Sequence, residues 1–169
     1  MNPIKEIRIE KVTLNCGVGG EGDKLGKAML LLRKMTGKEP VKTITMKRIP
    51  TWGVRPNLAI GCKVTLRHEE AEEILKRLLQ AVDNKIPPSK FDKNGNFSFG
   101  IEEYILIPGV EYDVSIGIIG LDVAVTLARA GYRIKNRINK SKVGLKHRIT
   151  KEEAVEFMHK NFNLEREAE

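Results

Sequence analysis

A chain of 169 residues is long enough to bury one core and short for a two-domain enzyme. With 41% hydrophobic and 31% charged residues it is neither membrane-embedded nor wholly disordered, and its net charge of +8 points toward polyanions. The charge is segmented: residues 1–68 carry 14 basic and 5 acidic side chains, 69–125 carry 5 and 11, 126–150 carry 8 and none, and 151–169 carry 3 and 6.

Ile7, Ile9, Val12 and Leu14 alternate with one break, which predicts a first strand ending at Asn15. A glycine loop follows. From Asp23, Leu25, Ala28, Met29, Leu32 and Met35 recur at helical spacing until Gly37 and Pro40 stop the helix. Val41 to Met46 predicts a second strand and Ala59 to Arg67 a third. Between them, Lys47 to Asn57 combines Lys47, Arg48 and Arg55 with two prolines, Trp52 and Gly53, the composition of an ordered, exposed loop. Glu69 to Val82 carries one apolar stripe, Ala71, Ile74, Leu75, Leu78, Leu79 and Val82, behind an acidic first turn suited to a helix N-terminus. A turn at Asn94-Gly95 introduces a short strand before Tyr104, and Ile116 to Ala128 supplies another, broken by Gly117 and Gly120. The tract from Arg129 to Arg148 is basic without sustained periodicity. Eight unopposed cations between 126 and 150 repel one another and gain the fold nothing, so they read as a polyanion contact. Thr150 and Glu153 have capping-box spacing and open a final helix near 151–161, after which Glu165 to Glu169 should fray. Strands interleaved with few helices, without strict βαβ alternation, predict a single α+β domain over 1–169.

Gly17-Val-Gly19-Gly-Glu-Gly22 matches a dinucleotide-binding loop between a strand and a helix, the basis of an alternative reading as a nucleotide-cofactor enzyme. The acid nearest the second strand, Glu39, precedes that strand where a ribose-holding acid should end it, and no acid, base or metal cluster follows. A tight turn, or a phosphate contact, accounts for the glycines as well. His68, His147 and His159 lack carboxylate or nucleophile partners in sequence, so no enzyme activity, metal or cofactor is expected. Cys16 and Cys62 read as buried thiols of a reducing compartment. No apolar run approaches the ~20 residues of a membrane span, and the N-terminal segment lacks the apolar centre of a secretory signal. A cytosolic protein without membrane contact or homo-oligomer is expected. A third reading is a protein-interaction module whose basic blocks meet acidic proteins.

Ile9-Glu-Lys-Val-Thr-Leu-Asn-Cys-Gly-Val-Gly19, Thr36-Gly-Lys-Glu-Pro40, Ile60-Gly-Cys-Lys-Val-Thr-Leu-Arg67, Phe91-Asp-Lys-Asn-Gly-Asn-Phe-Ser-Phe-Gly100 and Tyr112-Asp113 occur in the order of one family. The sequence resembles the fifth-numbered family of large-subunit ribosomal proteins, the 5S rRNA binders, over nearly its whole length. The basic stretch near 129–148 and its final helix resemble the archaeal and eukaryotic branch, and the length favours the archaeal one. The resemblance implies an antiparallel sheet with helices packed on one side, similar to an RNA-recognition fold, docking 5S rRNA in the central protuberance.

It also implies site residues. Asn15, Lys38, Trp52 and Thr65 fall on the family's 5S rRNA positions; Lys38 replaces an amide with a point charge suited to phosphate. Trp52 keeps a ring that either stacks on a base or anchors its loop. Lys47, Arg48 and Arg55 fall on the segment that approaches P-site tRNA, or else hold rRNA. Arg129, Arg133, Lys135, Arg137, Lys140, Lys142, Lys146 and Arg148 become large-subunit rRNA contacts in a tract that orders only against RNA. Glu102, Glu103, Glu111 and Asp113 become the surface bridging to a basic head protein of the small subunit.

Overall fold

The computed structural model describes residues 3–20 and 22–165. Five strands, Ile7–Gly17 (β1), Val41–Ile44 (β2), Ala59–Leu66 (β3), Phe97–Ile101 (β4) and Leu121–Arg129 (β5), form one antiparallel sheet in the order β2-β3-β1-β5-β4. Three helices, Asp23–Thr36 (α1), Glu69–Gln80 (α2) and Lys151–Phe162 (α3), complete the expected α+β architecture.

Period-two patterning divides the sheet into two unlike faces. Val12, Leu14 and Cys16 of β1, Val64 and Leu66 of β3, Val123, Val125 and Leu127 of β5, and Phe97, Phe99 and Ile101 of β4 are buried in one continuous core. The helices close that core with Leu25, Leu31 and Leu32 of α1, Ile74, Leu75, Leu78 and Leu79 of α2, and Ala154 and Met158 of α3. Among residues of opposite parity, Lys63, Thr65, Ser98, Gly100, Asp122 and Ala124 are exposed and Thr13 and Asn15 half-buried, whereas Gly61 and Ala128 are buried. The break in the β1 alternation is a bulge: the register with β5 shifts between Ile9 and Lys11, so that Ile9 and Val12 both reach the core. Pairing with β3 carries β1 two residues beyond the predicted end, to Gly17 opposite Gly61.

Gly37 ends α1 in the left-handed conformation, its N–H donating to the Arg33 carbonyl, as the sequence predicts. The predicted strand over Ile116 to Ala128 is shorter. The Ile116 and Gly117 N–H groups both donate to the Asp113 carbonyl, and Gly117 has φ 76°, so a turn occupies the first residues and β5 starts at Leu121. At the Asn94-Gly95 turn, Gly95 has φ 76°, and a Cβ there would lie 2.6 Å from Ile149 Cγ2. Both the backbone and the packing under α3 therefore require glycine.

The capping box of α3 is complete: Thr150 Oγ1 accepts from the Glu153 N–H at 3.3 Å and Glu153 accepts from the Thr150 N–H at 3.0 Å. Thr150→Ala should cost about 1 kcal/mol and lower the Tm by roughly 2–4 °C; an unchanged thermal unfolding curve would mean the cap contributes nothing. Beyond α3, Glu165 is held, not frayed, by its N–H to the Asn84 carbonyl at 2.9 Å and by an ion pair with Lys85 at 3.6 Å. The fraying expected for 166–169 falls outside the described residues. Cys16 and Cys62, far apart in sequence, sit directly opposite each other across β1 and β3 as buried free thiols. The hydrogen bond to Cys62, with burial, pushes the Cys16 thiol well up and keeps it protonated.

Candidate nucleic-acid interface

Antiparallel pairing assembles the uncovered face row by row. Thr13 stands between Thr65 on β3 and Ala124 on β5, and Asn15 between Lys63 and Asp122. Val41 of β2 extends the second row beside Lys63. The β3–β1 half of the face therefore presents hydroxyls, an amide and the Lys63 ammonium. The β5–β4 half presents Asp122, Ala124, Ser98 and Gly100. Expected sites Asn15 and Thr65 lie together in the polar half. Lys38, just past the α1 cap, shares with Thr65 an open depression also lined by Arg67, His68, Glu69 and Glu70. Thr13 and Lys63 were not singled out in the sequence. Their importance rests on strand register, although the alternation Lys63, Thr65, Arg67 opposite buried neighbours already marks a solvent face.

Trp52 stands apart, on the loop that prolongs β2 and β3. Backbone hydrogen bonds from Thr45 to Leu58 (3.0 Å) and from Asn57 to Thr45 (2.8 Å) continue the hairpin, and Ile49 and Val54 exchange two more at 2.9 and 3.1 Å. Val54 is the buried apolar residue of the loop, whereas Trp52 is 75% exposed and buries too little of its ring to anchor it. Met46, 87% exposed, and Ile44 line the same extension. Lys47, Arg48 and Arg55 are all exposed on it.

The second basic block differs from expectation in two respects. Arg129 is 6% exposed: its guanidinium donates to the carbonyls of Lys5 (2.9 Å), His147 (3.4 Å) and Arg148 (3.2 Å) and pairs with Glu153 at 2.9 Å. It is a structural clamp, out of reach of RNA. Nor does the tract lack order of its own, because Tyr132 Oη donates to the His147 carbonyl (3.1 Å) and accepts from the Ile149 N–H (2.8 Å), stapling the tract's ends together. Arg133, Lys135, Arg137, Lys140, Lys142, Lys146 and Arg148 remain exposed.

The β4–β5 connection docks beside the helices, away from the open sheet face. Arg77 Nε donates to the Pro108 carbonyl at 3.1 Å, and Lys34 of α1 pairs with Asp113. Asp113, expected on a partner surface, is thus spent internally, since its carboxylate also accepts from Ser115 N–H and Oγ–H at 2.9 and 2.6 Å. The Lys34 ammonium and these hydrogen bonds hold its carboxyl far below the usual range. Glu102 and Glu111 are exposed and Glu103 is half-buried, among the exposed apolar residues Leu106, Tyr112, Val114 and Ile118.

The glycine-rich loop does not form a dinucleotide site. Its strand, β1, pairs antiparallel on both sides, β3 separates it from β2, and Glu39 is engaged by Arg33 at 3.4 Å. Among the described residues no helix is long and apolar enough to cross a membrane.

Comparison with known proteins agrees with this architecture. The family model described as ribosomal protein L5 matches residues 2–55, and the model for the C-terminus of the same ribosomal family matches 59–157. The boundary falls in the β2–β3 loop, yet β1 of the first segment pairs with β3 and β5 of the second, so both share one sheet. Relatives named large ribosomal subunit protein uL5 include one from Nanoarchaeum equitans, 52% identical over 97% of this chain and 98% of its own length. Those from Sulfurisphaera tokodaii and Methanobrevibacter smithii are 50% and 46% identical, each over 97% of this chain and over 94% and 97% of their own lengths. The chain therefore belongs to the uL5 family of large-subunit ribosomal proteins, in its archaeal form.

Proposed function

We propose that this ribosomal protein attaches 5S rRNA in the central protuberance of the large subunit through the open β3–β1 face of its sheet. The observation that carries this reading is the juxtaposition of exposed Lys63 and Thr65 with half-buried Thr13 and Asn15 on one face of the sheet, bordered by Lys38. A flat face of hydroxyls, an amide and ammonium groups suits the wide, shallow minor groove of an RNA helix, where 2′-hydroxyls and phosphates are the groups within reach. The family is structural, not enzymatic, and works in the ribosome of the cytoplasm.

Other parts of the molecule take narrower roles in this reading. Exposed Lys47, Arg48 and Arg55, on a hairpin that reaches beyond the sheet, suit the backbone of P-site tRNA. The seven exposed cations between Arg133 and Arg148 suit large-subunit rRNA, where counterion release supplies affinity. Glu102, Glu103 and Glu111, with exposed apolar neighbours, suit a basic small-subunit head protein across an intersubunit bridge.

A binding titration across a salt series tests the 5S assignment: 5S rRNA should bind more tightly than unrelated RNA of equal length, with steep salt dependence. Equal affinity for both RNAs would refute it. In the same series Lys38→Ala should reduce the salt slope by about one unit; an unchanged slope would remove Lys38 from the phosphate contacts.

A further inference from the structure

Lys38 does not stand alone at the edge of the open face, because the carboxylate of Glu70 pairs with its ammonium. The two belong to different junctions: Lys38 follows the left-handed cap of α1 at Gly37, and Glu70 is the second residue of α2. They meet at the depression that also holds Thr65, at the edge of the open face. Lys63, their neighbour on that face, is in none of the ion pairs among the described residues.

Helix α2 does not depend on Glu70. Glu69 and Glu72 also occupy its first turn and complement the helix dipole without it. The pair is a weak latch, since the Lys38 and Glu70 side chains are 44% and 56% exposed and water competes for both. The ammonium has three N–H donors, yet the Glu70 carboxylate both offsets its charge and draws the flexible side chain toward α2, so a phosphate on the open face competes with that carboxylate for it. Against an RNA backbone the same carboxylate is a like charge.

We infer that Glu70 is a built-in counter-ion that competes with RNA phosphate for Lys38, so that RNA binding at the open face works against the Lys38–Glu70 pair. This rests on the proposed RNA contact of the open face. Its consequence is counterintuitive for a helix-start carboxylate: removing its charge should strengthen binding.

The test is a double-mutant cycle on the full chain with 5S rRNA at fixed salt: wild type, Glu70→Gln, Lys38→Ala and the double variant. Glu70→Gln should tighten binding about twofold to fivefold when Lys38 is present, and distinctly less in the Lys38→Ala background, where only relief of repulsion remains. An equal gain in both backgrounds would show a general charge effect and overturn the inference. Weaker binding by Glu70→Gln would overturn it in the opposite sense, showing that Glu70 positions Lys38 for RNA. Failure of the underlying reading is separately visible: wild type would show no preference for 5S rRNA, or Lys38→Ala alone would leave affinity unchanged. Thermal unfolding of each variant establishes that the folds compared are the same.

Discussion

Arg129→Met is expected to destabilise the chain by about 2–4 kcal/mol, because it removes a charged donor set from a site where its acceptors have no substitute. Three backbone carbonyls, from Lys5, His147 and Arg148, and the Glu153 carboxylate converge on the guanidinium. They come from the entry to β1, the end of the basic tract and the first turn of α3, so one side chain ties three remote segments to the end of β5. Loss of the clamp should also loosen the tract and weaken binding to RNA. Denaturant unfolding measures the first effect, and a change below about 1 kcal/mol would show that water replaces the lost donors. The same site gives an acid dependence. The Thr150 N–H, followed by Arg129, holds the Glu153 carboxyl below its ordinary value despite partial burial. A carboxyl lowered on folding stabilises above the unfolded-state value, and the contribution is lost as pH falls through the folded one. Stability should thus decline in acid, and less so in a Glu153→Gln variant.

Trp52→Ala should leave stability unchanged and weaken RNA binding by about 1–3 kcal/mol, the worth of one base stacked on an aromatic ring. That corresponds to roughly fivefold to 150-fold in affinity. Trp52 contributes no core, being 75% exposed on a hairpin whose buried apolar residue is Val54, so its removal exposes little buried surface. The contrast with Val54→Ala separates the two roles: that variant should lose stability by opening a cavity under the hairpin. If Trp52→Ala leaves RNA affinity within twofold of wild type, the ring does not stack on RNA.

Features encoded locally were legible in the sequence. Gly37, the Thr150–Glu153 box and the apolar stripes of α1 and α2 specify their elements through contacts within a few residues. The interrupted alternation at Ile9 and Val12 was also visible, although only pairing with β5 shows it to be a bulge. What depends on tertiary placement was not legible. A count of cations cannot see that Arg129 is buried, nor a count of anions that Asp113 is occupied by Lys34 and Ser115. Alternation along β3 marks Lys63 as solvent-facing but does not mark it, or Thr13, as part of a site. They acquire a role only when β3 pairs with β1 and aligns them with Thr65 and Asn15. Likewise the Lys38–Glu70 pair joins residues 32 positions apart.

The central claim is that 5S rRNA covers the open face of the sheet and leaves the helical face exposed. Lysine footprinting of the full chain with and without 5S rRNA tests it directly, because exposed amines report from both layers. Lys63 on β3 should be protected from acylation by the RNA, while Lys76, exposed on α2, should react at the same rate in both samples. Protection of Lys76 with Lys63 still reactive would place the RNA on the helices and contradict the account.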